Sequence, residues 1–140
     1  MIGTNTFSST TIAQADYSME KLAYELNYAG ARLAREACDE VTADDPTQLR
    51  FVVGATNRTG SISPSVEDSS MRNVTFDELV TAYYEQVVGL VDGGADILMV
   101  ETIFDTLDAK AALYAVGEFL EHACVDIPVF VSGTLVDLSG

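Results

Sequence analysis

Two hydrophobic periods alternate along this chain, one helical and one strand-like. From Met19 onward, apolar residues fall at Leu22, Ala23, Leu26, Leu33, Ala34 and Ala37, a stripe that predicts a helix fading near Val41. Thr42 to Leu49 is polar and carries Pro46, so it reads as a connection to the short apolar run Phe51-Val52-Val53, a predicted buried strand. Thr56 to Asn73 has neither period and contains Gly60, Pro64 and many serines, which predicts a long loop. Thr75 and Glu78 then stand at capping-box spacing, where each side chain can satisfy a backbone amide of a first helical turn. Phe76, Leu79, Val80, Tyr83, Val87, Leu90 and Val91 recur every three or four residues behind that cap, and Gly93-Gly94 supplies a left-handed stop.

Ile97-Leu98-Met99-Val100 is short and continuously apolar, as suits a strand covered on both faces. Glu101 is read as its abrupt end. A third helix is predicted from about Thr106 to Glu121, with Leu107, Ala111, Tyr114, Ala115 and Phe119 or Leu120 on one side. Pro128-Val129-Phe130-Val131 predicts a last strand that closes into Ser132-Gly133-Thr134. Strands alternating with helices give a parallel sheet, and periodicity does not choose between an open sheet and a closed barrel.

With 140 residues and 48% hydrophobic content the chain suffices for one domain and not for two ordinary ones. No apolar run approaches the length of a membrane span and no secretory leader is evident, so a cytoplasmic location is expected. The 22 acidic residues against 7 basic ones give a net charge of −15, which repels nucleic acid and anionic lipid and excludes those partners. That charge reads as a solvated surface or as adaptation to high salt, where screening relieves self-repulsion. Lys21 and Lys110 are the only lysines. No glycine-rich nucleotide loop follows any predicted strand. Cys38 and Cys124 have no partner at metal-ligand spacing, and the single histidine, His122, falls at a predicted helix end.

Polar residues cluster just past the predicted strand ends: Thr4, Asn5 and Thr6, then Thr56 and Asn57, then Glu101 and Asp105, then Ser132, Gly133 and Thr134. In a parallel barrel all of these ends share the face where active sites form. Glu101 is the most informative, because a carboxylate abutting four apolar residues needs a partner, either a ligand ammonium group or an arginine such as Arg58 or Arg72. Asp105 suits a helix N-cap. Asn5 and its threonines fit a turn motif and a ligand contact equally well.

The segments Thr4-Asn5-Thr6-Phe7-Ser8-Ser9-Thr10, Thr56-Asn57-Arg58-Thr59, Arg72-Asn73-Val74-Thr75-Phe76-Asp77-Glu78-Leu79, Val100-Glu101-Thr102-Ile103-Phe104-Asp105-Thr106 and Ser132-Gly133-Thr134 occur in one order. Together they resemble the homocysteine-binding (homocysteine S-methyltransferase) module of cobalamin-dependent methionine synthase. The resemblance implies an α/β fold, a partial parallel (β/α)8 TIM barrel comprising about strands 2 to 5 with three intervening helices. Residues 1 to 140 would form one incomplete homocysteine-binding barrel domain, cut at both ends. The family activity is methyl transfer from methylcobalamin to homocysteine, giving methionine. Its zinc is held by cysteines of G-L-N-C and G-G-C-C segments, which this chain lacks.

What the resemblance carries onto this chain is the amino-acid-recognising side of the pocket. Glu101 is expected to meet the homocysteine ammonium group, with Asn5, Thr4, Thr6, Ser132 and Gly133 lining the same mouth. No catalytic residue and no metal ligand is assigned. Implied partners are homocysteine, the remaining barrel half and a cobalamin-binding module, and the isolated chain is expected to be inactive. The alternative is a non-catalytic half-barrel subunit that assembles with a separate chain carrying the zinc ligands; a relative acting on another thiol or selenol is a third option. Two departures stand out: Gly3 replaces the usual glutamate, and the Gly54-Ala55-Thr56-Asn57 turn is three residues short of the family pattern.

Overall fold

A computed structural model of the chain describes residues 1–57, 74–103 and 105–134. Four strands are present among the described residues: β1 (Ile2–Gly3), β2 (Val52–Asn57), β3 (Ile97–Ile103) and β4 (Val129–Gly133). Between them lie a short α1 (Thr11–Gln14), two 3-10 turns, and the long helices α2 (Ala23–Asp44), α3 (Phe76–Asp92) and α4 (Thr106–Ala123). All three strand pairings are parallel, and the order in the sheet is β1-β2-β3-β4. That order never reverses.

A doubly wound sheet reverses and places helices on both faces, whereas a barrel winds in one direction with its helices outside. Here Val52, Leu98 and Val100 of the strands are buried against side chains of α2, α3 and α4, so the three helices share one face of the sheet. Strand alternation then assigns Val53, Ala55, Ile97, Met99 and Phe130 to the other, inner face. The fold is the sector of a parallel barrel that the resemblance implied, with three long helices and the short α1 between its four strands among the described residues.

The face of α2 turned to the sheet is lined by small residues and one amide rather than by the large apolar residues of the predicted stripe. In α2 the buried positions are Ala23, Asn27, Ala31, Ala34 and Cys38, while Leu33 of the predicted stripe is 69% exposed. Small residues face inward because α3 comes close. A Cβ on Gly93 would stand 2.5 Å from the Tyr28 carbonyl oxygen of α2, a distance no side chain tolerates. The helix also runs three residues beyond Val41, to Asp44, before the Pro46 connection.

Polar strand ends were the other misplacement. Thr56 and Asn57 complete β2, Glu101 lies inside β3, and Ser132 and Gly133 complete β4, so none of them lies beyond its strand. Neighbouring strands supply the reason: a backbone ladder pairs Thr56 with Val100 and Asn57 with Glu101, and the buried Thr56 hydroxyl donates to the Met99 carbonyl at 3.2 Å. The predicted Thr56 to Asn73 loop otherwise falls outside the described residues.

Opposite the strand C-termini, Asp96 Oδ2 accepts from Arg35 Nη1 and from Val52 N, each at 2.7 Å, which ties α2 to the starts of β2 and β3. Gly94 ends α3 at φ +101°, the left-handed stop that its sequence promised. The Thr75–Glu78 capping box is formed as well, with Thr75 N donating to Glu78 Oε2 at 2.7 Å and Glu78 N donating to Thr75 Oγ1 at 3.3 Å. The Thr75 backbone N–H, and with it the Thr75 hydroxyl at 2.8 Å, donate to the Glu78 carboxylate and hold it below its ordinary pKa. A depressed carboxyl contributes stability above its unfolded pKa and loses it as pH falls through the folded value. Thr75→Ala is therefore expected to cost about 1 kcal/mol at neutral pH, and less in acid below the glutamate range, as read from urea midpoints.

Candidate functional site

The C-terminal strand ends are the place to look, and alternation decides which side chains face the barrel interior. Leu98 and Val100 are on the helix side, so Glu101 falls on the inner face with Ile97 and Met99. Phe130 pairs with Met99, which places Ser132 on the inner face of the adjoining strand. Asn57 is the register partner of Glu101 on the other side. Glu101 and Ser132 are thus brought together at one end of the sheet, each half-buried. Glu101 makes no ion pair among the described residues, and Arg58 and Arg72 lie outside them.

The strand does not run regularly through this point. Val100 pairs with Val131, yet the next pairing is Ile103 with Gly133, so Glu101 and Thr102 together oppose Ser132. Thr102 has φ +58°. This is a β-bulge whose extra residue adopts a left-handed backbone that β-branched residues resist.

The Thr4 to Thr6 segment divides in two. Asn5 is exposed and lines an open groove beside Ile2, Gly3 and Leu33 at the β1 edge, two strands from Glu101. Thr4 and Thr6 are buried, 8% and 0% exposed. Their hydroxyls lie 2.7 Å apart; Thr6 Oγ1 donates to the Ala55 carbonyl at 2.9 Å, and Ala55 N donates to Thr4 Oγ1 at 3.0 Å. Both threonines therefore fasten the chain after β1 to the end of β2 and leave Asn5 projecting between them.

That fastening extends into the helices through polar residues that hydrophobic patterning passes over. Gln86 of α3 donates from Nε2 to the Thr6 carbonyl at 3.0 Å and to Asn27 Oδ1 at 3.2 Å. Asn27 of α2 donates from Nδ2 to the Ser9 carbonyl at 2.6 Å and to Ala23 O at 2.7 Å. Both side chains are fully buried. Asn27 is engaged at both its amide atoms and Gln86 at its Nε2, while Gln86 Oε1 has no hydrogen-bond partner among the described residues, so position here is specified by the bonds of Asn27 and Gln86 Nε2. Nearby, the Tyr83 hydroxyl donates to Asp108 Oδ1 at 2.7 Å, between α3 and the first turn of α4. Asn27 and Gln86 do fall in register with buried neighbours at helical spacing, but in the sequence each reads as a surface amide because nothing local names its partner.

Asp105 caps α4 by accepting from Leu107 N at 2.8 Å, as its place before the helix predicted. The thiols stand apart from the mouth. Cys38 is buried in the second half of α2, and exposed Cys124 is the left-handed C-cap of α4, both near the opposite end of the strands. No group of three His, Cys, Asp or Glu side chains that could hold a metal occurs among the described residues. The donor set offered here does not fit zinc.

Residues 1–140 match the homocysteine S-methyltransferase family. Among solved structures, the chain is similar to the homocysteine methyltransferase MmuM from Escherichia coli. Against its oxidized form the TM-score is 0.71 at 22% identity, and against its metallated form 0.69 at 23% identity. In both cases the likeness covers 96% of this chain and 46% of the other, so the chain spans about half the length of these structures. The likeness carries the barrel architecture, the family match extends from end to end, and the chain belongs to the homocysteine S-methyltransferase family.

Proposed function

We propose that this chain supplies the homocysteine-recognition side of a methyltransferase pocket, in an enzyme that moves a methyl group onto the homocysteine sulfur and yields methionine. The observation that carries this reading is the inward placement of Glu101 beside Ser132 at the C-terminal end of parallel strands. A carboxylate there can hold an ammonium group by charge-assisted hydrogen bonds, and Ser132 can donate to a carboxylate. Asn5 and Gly133 are proposed as outer members of this site, Asn5 at the β1 edge two strands from Glu101 and Gly133 opposite Ile103, while Thr4 and Thr6 fix the segment around Asn5. The order of sequence segments favours methylcobalamin as methyl donor, and a cytoplasmic location goes with that reading.

An amino acid held by its polar end directs its sulfur away from Glu101. Thiolate formation and the metal that supports it must then come from polypeptide other than the described residues, which offer no zinc donor set. A zinc-bound thiol would be deprotonated at neutral pH, and that is the chemistry such a metal adds. The chain alone is accordingly proposed to be inactive and to need the remaining barrel half. Exposed apolar residues at both edges of the described sector, Ile2 of β1 and Leu33 of α2 on one side and Val131 of β4 on the other, favour a complementary chain or segment there.

Calorimetric titration tests the recognition step. The chain assembled with polypeptide carrying the missing strands should bind homocysteine and fail to bind its des-amino analogue with comparable affinity. Equal affinity for the two would remove the carboxylate–ammonium contact from the reading.

A further inference from the structure

The bulge at Glu101-Thr102 is not needed by the fold. Strand alternation would place Ile103 on the inner face with Glu101, yet Ile103 packs on the helix side beside the cluster of Leu79, Tyr83 and Val100. One extra residue between Val100 and Ile103 accounts for that. If Thr102 were absent, however, Glu101 would oppose Ser132 and Ile103 would oppose Gly133 in an unbroken ladder. Ile103 would still fall on the helix side. Neither the core nor the hydrogen-bond register therefore requires the insertion.

The insertion nonetheless carries a cost. A left-handed backbone at a β-branched residue opposes folding by about 1–2 kcal/mol, and such positions persist where surroundings over-determine them. The surroundings are visible here: beyond Thr102, Thr134 N donates to the Ile103 carbonyl at 2.6 Å, and Asp105 caps α4. With Val100 paired to Val131 before it and these bonds after it, both ends of the bulge are anchored, and its free consequence is the direction of the side chain just before it.

We propose that Thr102 is a positioning residue whose extra backbone unit leans Glu101 out of the sheet normal and toward the barrel mouth. This deepens the reading of Glu101 as the ammonium-binding group and rests on it for its use, though not for its geometry. The threonine side chain itself has no part in the contact.

The geometry can be read without any ligand. In a C124S background, which removes the exposed native thiol, E101C is placed in chains with and without Thr102, and labelling by a neutral thiol reagent is timed. Deleting Thr102 should leave the melting temperature equal or higher and slow labelling by about fivefold or more, because thiol reactivity follows exposure. T102G, which keeps the left-handed backbone, should label within about twofold of the unmodified loop. A deletion that melts lower would make the bulge structural and overturn the proposal, as would unchanged labelling.

Homocysteine titration of the assembled enzyme, with Glu101 in place, is the second arm. Deletion of Thr102 should weaken binding by about tenfold, the scale of a small misplacement, while T102G binds as before. Equal losses in both variants would assign the contact to the threonine side chain and overturn the proposal. Failure of the unaltered enzyme to bind would remove the reading of Glu101, with the labelling arm still deciding the bulge.

Discussion

Gly89→Ala is expected to destabilise the chain by about 2 kcal/mol or more, although alanine is the better helix former by about 1 kcal/mol. A Cβ at Gly89 would stand 2.8 Å from the Tyr24 carbonyl oxygen and 2.9 Å from Asn27 Cβ. Neither neighbour can yield cheaply. The first is helix backbone, and the second belongs to the buried amide that bonds Gln86, Ser9 and Ala23. Gly93, one turn later on the same face, meets α2 just as closely, so α3 would have to be levered away along its whole contact. Gly117→Ala is the control. A Cβ there meets nothing within 4 Å, so ordinary helix propensity should win and stabilise by about 0.5–1 kcal/mol. Urea denaturation of both variants reads the two signs, and a stabilising Gly89→Ala would show that α2 and α3 do not approach as described.

The same contact explains which parts of this fold could be read in advance. Helix α3 was legible because Leu79, Tyr83, Val87 and Leu90 are large, periodic and buried, and its capping box is a local pattern. Helix α2 was legible as a helix and, through Ala23 and Ala34, partly in its orientation, whereas Leu22 and Leu33 of the same stripe are exposed. Its inward face consists of alanines, Asn27 and Cys38, chosen by the nearness of glycines more than sixty positions away in the sequence, whereas Leu33 stands at an edge that no described residue covers. The buried Asn27–Gln86 link was hidden for a related reason: each amide looks like a surface residue until its partner is known.

Strand cores were equally clear, and strand ends were not. Ile97 to Val100 announced itself by composition, but Glu101 to Ile103 joins β3 only because β2 and β4 lie alongside. The bulge is a further step removed. Nothing in Val-Glu-Thr-Ile-Phe distinguishes a left-handed threonine from an extended one, since the bulge shows only in the pairing of Val100 with Val131 and of Ile103 with Gly133. For the candidate site, sequence order placed Glu101 and Ser132 toward the C-terminal ends of their strands, where the structure has them. It could not separate exposed Asn5 from Thr4 and Thr6, whose hydroxyls are engaged inside.

Glu101→Gln is expected to weaken homocysteine binding by the assembled enzyme by about ten- to a hundredfold while leaving stability within about 0.5 kcal/mol. The size follows from the kind of contact. A hydrogen bond between an ammonium group and a carboxylate contributes about 1.5–3 kcal/mol, and glutamine keeps the shape while removing the charge. The indifference of stability follows from the surroundings: Glu101 is half-buried and has no ion pair among the described residues, so the substitution strands no opposite charge. Ser132→Ala, which removes one neutral hydroxyl beside it, should cost roughly 1 kcal/mol of binding. The two losses differ in their dependence on the ligand. Removing the amine from homocysteine should erase the difference between Glu101 and its glutamine replacement, yet leave the effect of Ser132→Ala intact. Calorimetric titration of the three proteins with both ligands measures this, and a glutamine variant that binds homocysteine as tightly as the parent would exclude the carboxylate from recognition.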